Sequence, residues 1–183
     1  MIKAQVQVFE EFVQLHYSEK DSAHDFRHIQ RIIKRLELLS KDITPINSSK
    51  LLFIACFHGQ RDNIRNNEKF KKDVIEFLEN QGWSDDEVED GFKALFRHTR
   101  NPQSIEEKLV HDANNFGRLG AFGIAKAFTT GGARGQSIEE TADIFEYQNL
   151  DKTVFLTSMG KKYGKEGIKY PKEFLKKLRS ELK

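Results

Sequence analysis

The chain has 183 residues, of which 30 are basic and 28 acidic, and 38% of its residues are hydrophobic. This length suits one domain with a core large enough to fold alone, so we predict a single domain over residues 1–183. A net charge of +2 does not indicate nucleic-acid binding, and no apolar run approaches the roughly 20 residues of a membrane span. The single cysteine, Cys56, excludes a disulfide framework and is typical of a reducing compartment, so a cytoplasmic protein is expected.

Apolar residues recur with helical spacing along almost the whole chain. The first predicted helix, residues 2–17, carries on its apolar face Val6, Phe9, Val13 and Leu15. A second amphipathic helix is predicted over residues 23–40, and the segment ending at Phe57 is apolar on all sides, which predicts a buried central helix. A further helix is predicted over residues 68–83.

Three later helix starts have capping-box spacing, with a serine followed three residues later by a glutamate. These pairs are Ser84 and Glu87, Ser104 and Glu107, and Ser137 and Glu140. The last helix is predicted from about Pro171, and "FTTGGARGQS" (Phe128 to Ser137) is predicted to be a Gly-rich loop. With no alternating apolar pattern that would indicate a strand, the predicted class is all-α, a single bundle of eight or nine helices.

Histidines and acids on separate predicted helices are the candidate chemical groups. His24 and His28 are four residues apart, His58 ends the most apolar segment, and Asp112 follows the helix start at Ser104. Imidazoles and a carboxylate that project inward from different helices can surround a divalent metal ion. Each also has a structural interpretation: a hydrogen-bonded core histidine for His58, a chance pair for the two early histidines, and a helix-terminal acid for Asp112.

The order and spacing of three motifs resemble those of HD-domain metal-dependent phosphohydrolases, in particular the small bacterial single-domain group. The motifs are "HDFRHIQRI" from His24, "FIACFHG" from Phe53, and "DANNFGRLGAFGIAKAF" from Asp112 to Phe128. The resemblance implies a helical domain of the HD type that uses a divalent metal ion, with Mn, Mg, Fe, Co and Ni not distinguished, to hydrolyse a small phosphate ester, expected to be a nucleotide.

Carried over position by position, the resemblance implies metal ligands at His28, His58 and Asp112. His28 is preferred to His24 because Arg31 fills the arginine position that follows the family's first ligand. The family has a signature His-Asp pair, to which His58 and the position after it correspond. Asp62 matches an acid that the family has one turn after this pair, and Asp62 is the candidate catalytic group.

Two cations are the candidates for binding the phosphate. Lys126 stands where the family usually has arginine, and Arg134 lies in the Gly-rich segment of the chain. Both are fixed positive charges that suit the oxygens of a phosphate group.

The chain departs from the family at its signature position. Gly59 stands where the aspartate that ligates the metal is usual, and Asn114 and Gly117 replace two further acids of the pattern. The expected result is a site of two histidines and one carboxylate, with weakened metal binding and weakened activity.

Other interpretations of the sequence stay open. The main alternative is a catalytically inactive protein of this fold that binds a nucleotide or another phosphorylated ligand. A nucleic-acid or protein interaction module would depend only on the basic C-terminal segment, and the 15 phenylalanines admit a homodimer.

Overall fold

The computed structural model describes residues 3–17 and 26–183, and the regular structure in these ranges is entirely helical. The predicted all-α class is confirmed. His24 and Asp25 lie outside the described residues. None of the helices in the described ranges is both long enough and apolar enough to cross a bilayer. The chain divides into two compact units, Met1–Val110 and His111–Lys183, and the prediction of a single domain stays a prediction.

The first unit is built around one helix that is buried over most of its length. Its elements are Lys3–Gln14 (α1), Phe26–Leu39 (α2), Ser48–Phe57 (α3), Arg61–Asn66 (α4), Glu68–Asn80 (α5), Asp85–Arg97 (α6) and the first part of Ile105–Asn115 (α7). Every residue from Leu51 to Phe57 is buried, Cys56 included, which confirms the central helix predicted from the apolar run. Asn47 caps α3, because its side chain accepts a hydrogen bond from the backbone N–H of Lys50.

The end of α1 differs from the prediction in one respect. Phe9 and Val13 are buried as predicted, whereas Leu15 is 79% exposed. The α-helix ends at Gln14, and Leu15–Tyr17 forms a 3-10 turn. The tighter winding of that turn changes which side chains face inward, so Tyr17 is buried instead of Leu15.

The second unit has its own apolar core. Its helices are the end of α7, Gly120–Ala133 (α8), Ile138–Phe145 (α9) and Ser158–Glu181 (α10), with a π-helical segment at Glu146–Asp151. The core consists of Leu119, Ile124, Ala142, Phe145, Leu150, Phe155 and Leu175. The capping box predicted at the start of α9 is present, as is the one at the start of α6 in the first unit.

The predicted Gly-rich loop is wrong for most of its length. Phe128 to Ala133 belongs to α8, and the helix ends only where Gly135 adopts a positive φ of 72°. A Cβ on Gly131 would lie 2.2 Å from Oγ1 of Thr141, so glycine here permits close packing between α8 and α9. Packing with a neighbouring helix therefore outweighs the low helix propensity of glycine.

The predicted start of the last helix is also wrong. α10 begins at Ser158, with Thr157 as its N-cap, and Pro171 lies inside it. The segment before the proline holds three glycines, which lower its helix propensity. Tertiary contacts compensate, because a Cβ on Gly164 would lie 2.4 Å from the ring of Phe155 and one on Gly167 3.1 Å from Leu119.

Candidate functional site

Two of the predicted metal ligands lie next to each other in the first unit. His28 is buried in the first turn of α2, and His58 is the first residue of the 3-10 turn His58–Gln60 that follows α3. Their ring centroids are 5.7 Å apart. The structure thus brings together two imidazoles that are distant in the sequence.

A third histidine fixes the orientation of the second. Nε2 of His98 lies 2.7 Å from Nδ1 of His58, and Nδ1 of His98 lies 2.6 Å from the carbonyl oxygen of Leu95. A carbonyl can only accept, so Nδ1 of His98 carries the proton. With both rings neutral, we assign His58 as the donor to His98, and this tautomer leaves the lone pair of His58 on Nε2.

The backbone on both sides of His58 is held by Tyr17, which is 3% exposed. The Tyr17 hydroxyl donates to the carbonyl oxygen of Cys56 at 3.0 Å and accepts from the N–H of Gly59, also at 3.0 Å. Burial raises the pKa of the Tyr17 phenol well above its ordinary value, so the hydroxyl stays neutral. A neutral hydroxyl can make both bonds, whereas a phenolate could not donate to the carbonyl.

Asp112 belongs to the second unit, where it organises the start of α10. Its carboxylate is fully buried and accepts from the backbone N–H groups of Leu156 and Thr157, both at 2.8 Å. The Thr157 hydroxyl also donates to it at 2.7 Å, while accepting from the N–H of Gly160 at 3.0 Å. These bonds give Asp112 a structural role in its own unit, and its role as a metal ligand stays a prediction.

The other predicted site residues are more accessible. Asp62 is exposed in the first turn of α4, Lys126 is half-buried in the middle of α8, and Arg134 is exposed at the end of α8. Within residues 3–17 and 26–183, no group of three or more His, Cys, Asp or Glu side chains is arranged to hold a metal ion. The three-ligand centre inferred from the sequence therefore stays a prediction.

Positive charge that was not singled out from the sequence lies close along the chain to His58 and His98. Arg61 follows the turn that carries His58, and its guanidinium donates to the Thr99 hydroxyl at 2.6 Å. Burial lowers the pKa of Arg61 from its ordinary value; the neighbouring Asp62 carboxylate acts to raise it, and the cations Arg65 and Arg100 act to lower it further. A half-buried guanidinium with cations around it is suited to a negatively charged ligand.

The sequence motifs singled out neither Tyr17 nor His98. Tyr17 had no local signal, because it acts on Gly59 from 42 positions away in the sequence.

Comparisons with known proteins identify the fold. The chain aligns with an HD-superfamily hydrolase from Bacillus thuringiensis at 27% identity and a TM-score of 0.80, over 98% of this chain and 97% of the other. It aligns with YpgQ of Bacillus subtilis, in a complex with ADP, at 20% identity and a TM-score of 0.78, over 98% and 95% of the two chains. A predicted HD-superfamily hydrolase from an uncultured Thermotogales bacterium matches at 18% identity and a TM-score of 0.65, over 100% and 93%.

The chain therefore has the fold of the HD-superfamily hydrolases. At the level of that superfamily the likeness supports a phosphohydrolase. No family model matches the sequence, and no curated protein matches it significantly.

Proposed function

We propose that this chain is a metal-dependent phosphohydrolase that acts on a nucleotide or a related phosphate ester, with activity weakened by the glycine at position 59. The observation that carries the proposal is the paired imidazoles of His28 and His58, with the second ring oriented by His98. A hydrogen-bonded partner on the far nitrogen of a ligand histidine is the usual companion of metal binding.

The chemistry of these donors fits a divalent ion. Nε2 of His58 carries its lone pair in the assigned tautomer, and His28 contributes a second imidazole beside it. Asp112 is the third ligand that the family resemblance implies. Two imidazoles and one carboxylate suit ions such as Fe, Co, Ni or Mn better than Mg. The affinity is expected to be low, because the residue directly after His58 is glycine and not an acid.

The protein groups around the imidazoles have distinct proposed roles. A bound divalent ion would supply hydroxide near neutral pH and offset charge on a phosphate oxygen. Asp62, exposed one turn after His58, would orient the attacking water or take its proton. Lys126 and Arg134 are proposed to bind phosphate oxygens. Arg61, whose guanidinium donates to the Thr99 hydroxyl, is a further candidate cation in the first unit.

A second candidate function is binding of a nucleotide without hydrolysis. It is favoured by the contact between Tyr17 and Gly59, because a neutral hydroxyl fills the space beside the backbone of position 59. The complex of YpgQ with ADP is a property of that protein, and it supports the choice of nucleotides as test ligands for this one.

The two functions are separated by measuring binding and turnover on the same preparations. The chain is purified without chelator and titrated calorimetrically with Mn²⁺, and then with nucleoside mono-, di- and triphosphates, while phosphate and pyrophosphate release is assayed. We expect weak Mn²⁺ binding and slow release that His58→Gln abolishes and His16→Gln preserves. Nucleotide binding without release would favour the second function, and absence of both Mn²⁺ and nucleotide binding would contradict each of them.

A further inference from the structure

Tyr17 closes the turn that carries His58. Its hydroxyl joins the carbonyl oxygen of Cys56 to the N–H of Gly59, and these groups lie on either side of His58 in the chain. The last carbonyls of a helix have no partner within it, and the 3-10 turn after α3 has no side-chain cap of its own. Tyr17, in the 3-10 turn that follows α1, therefore supplies a hydrogen bond that the local sequence does not provide.

Glycine at position 59 is not explained by its backbone. The glycines with positive φ are Gly82, Gly120 and Gly135 among the described residues, so position 59 has a conformation open to other residues. In a helical turn alanine would be the more favourable choice. The reason for glycine must therefore lie in what surrounds it.

The surroundings of Gly59 are the ring and hydroxyl of Tyr17. A Cβ at this position would lie 2.8 Å from the hydroxyl oxygen, 3.0 Å from Cε1 and 3.3 Å from Cζ. Because Tyr17 is buried and makes two hydrogen bonds, it is not a flexible group that can move aside. Any side chain at position 59 would displace Tyr17 and, with it, the turn that carries His58.

We propose that Tyr17 is a positioning residue for His58, and that position 59 is glycine because Tyr17 occupies the space a side chain would need. Tyr17 holds the main chain on either side of His58, and His98 holds the His58 ring. This inference rests on the proposed function in one respect, namely that His58 is a functional residue. The structural coupling between Tyr17 and Gly59 stands without it.

A double-mutant cycle tests the coupling. Gly59→Ala in the wild-type chain should lower Tm by at least about 3 °C, as expected for overpacking in a chain of this size. The matched control Gly132→Ala, at a helical glycine with no atom within 4 Å of an added Cβ, should not lower it. In a Tyr17→Leu background, Gly59→Ala should cost much less. If that background does not fold, Tyr17→Phe serves: it removes the 2.8 Å contact but keeps the ring contacts at 3.0 and 3.3 Å, so the cost of Gly59→Ala should fall in part.

Two further measurements separate positioning from a merely structural role. The first measurement is made by NMR on the folded Tyr17→Phe variant. The His58 imidazole N–H should exchange with water about tenfold faster than in wild type, as expected when a buried hydrogen bond is lost. The second measurement is the affinity for Co²⁺, which should fall about tenfold or more in Tyr17→Phe. The control Tyr147→Phe, at an exposed tyrosine, should change neither the exchange rate nor the Co²⁺ affinity.

The possible failures are distinguishable. The proposal would be overturned if the Tm changes of the two substitutions in the cycle were additive. It would also be overturned if the exchange rate of the His58 imidazole N–H were unchanged in Tyr17→Phe. Absence of Co²⁺ binding by the wild-type chain would count against the proposed function alone, because the cycle and the NMR measurement need no metal.

Discussion

Nδ1 of His58 lies 2.7 Å from Nε2 of His98, so the orientation of the first ring depends on the second. His98 is fully buried and is itself fixed by the carbonyl oxygen of Leu95. The three groups form one chain of hydrogen bonds that begins on the backbone of α6 and ends on the ring of His58.

Replacing His98 should therefore impair both stability and metal binding. His98→Leu leaves the His58 N–H without this acceptor and should cost about 1–3 kcal/mol in the free energy of unfolding. It should also weaken Co²⁺ binding about 10–100-fold. Urea unfolding and calorimetric titration measure the two effects. Lys72→Leu, at an exposed residue of the same unit, is the control and should change stability by less than about 0.5 kcal/mol. An unchanged Co²⁺ affinity in His98→Leu would show that His98 does not orient His58.

Introducing an acid at position 59 should succeed only when Tyr17 is changed as well. Gly59→Asp alone should lower stability without strengthening metal binding, because the new side chain meets the Tyr17 hydroxyl. In a Tyr17→Phe background, Gly59→Asp should strengthen Mn²⁺ binding at least about tenfold relative to Tyr17→Phe alone, since an added charge near the ion contributes more than about 1.4 kcal/mol.

Asparagine is the matched control for that experiment, because it has the size of aspartate without the charge. Tyr17→Phe with Gly59→Asn should leave the Mn²⁺ affinity near that of Tyr17→Phe. Tighter Mn²⁺ binding in Gly59→Asp alone would mean that Tyr17 is no obstacle.

The ion pair of Arg97 and Glu107 should give the first unit a pH-dependent stability. The Arg97 guanidinium donates two hydrogen bonds to the buried Glu107 carboxylate, at 2.8 and 2.7 Å. Burial acts to raise the pKa of Glu107, but the bonds from Arg97 and from the N–H groups of Gln103 and Ser104 outweigh it, and the pKa is lowered. A lowered pKa in the folded state stabilises the fold above the unfolded value of about 4.3, and this contribution is lost as the pH falls through the folded value.

Glu107→Gln tests this linkage. It should cost about 1–3 kcal/mol in the free energy of unfolding at pH 7, and the difference from wild type should shrink below about pH 4.3. Urea unfolding at a series of pH values measures it. Glu87→Gln, at an exposed capping-box acid, should cost less than about 0.5 kcal/mol, since glutamine also serves at that position. A difference that stays constant from pH 7 to pH 3 would contradict the linkage.

Two adjacent glycines of α8 should respond in opposite directions to alanine. Gly131→Ala places a methyl group 2.2 Å from the Thr141 hydroxyl oxygen and should cost about 1–3 kcal/mol. Gly132→Ala adds a methyl group in open space and should stabilise the helix by about 0.5–1 kcal/mol. Thermal unfolding measures both. Equal changes in stability for Gly131→Ala and Gly132→Ala would contradict the assignment of this segment to α8.

Features that depend on neighbouring residues were predictable from the sequence. The apolar run of α3 predicts its burial, and the serine and glutamate pairs at the starts of α6 and α9 form the predicted capping boxes. In each case the signal and the structure lie within one or two helical turns.

Features that depend on distant contacts were not predictable. Gly131 and Gly164 lie within helices because of Thr141 and Phe155, which no local pattern connects to them. The glycine after His58 has its explanation in a tyrosine near the start of the chain. The imidazole pair was predicted from motif spacing, whereas the hydroxyl beside it was not.

The single cysteine of the chain, Cys56, can report local unfolding of the first unit through its reaction with an alkylating reagent. Cys56 has no solvent exposure, and burial raises its pKa above the ordinary value, so the native protein presents no thiolate to an alkylating reagent. Modification then requires that the centre of the first unit open. When reclosing is fast, the alkylation rate follows the population of open molecules, so a single mass-spectrometric time course can rank the variants described above without denaturant.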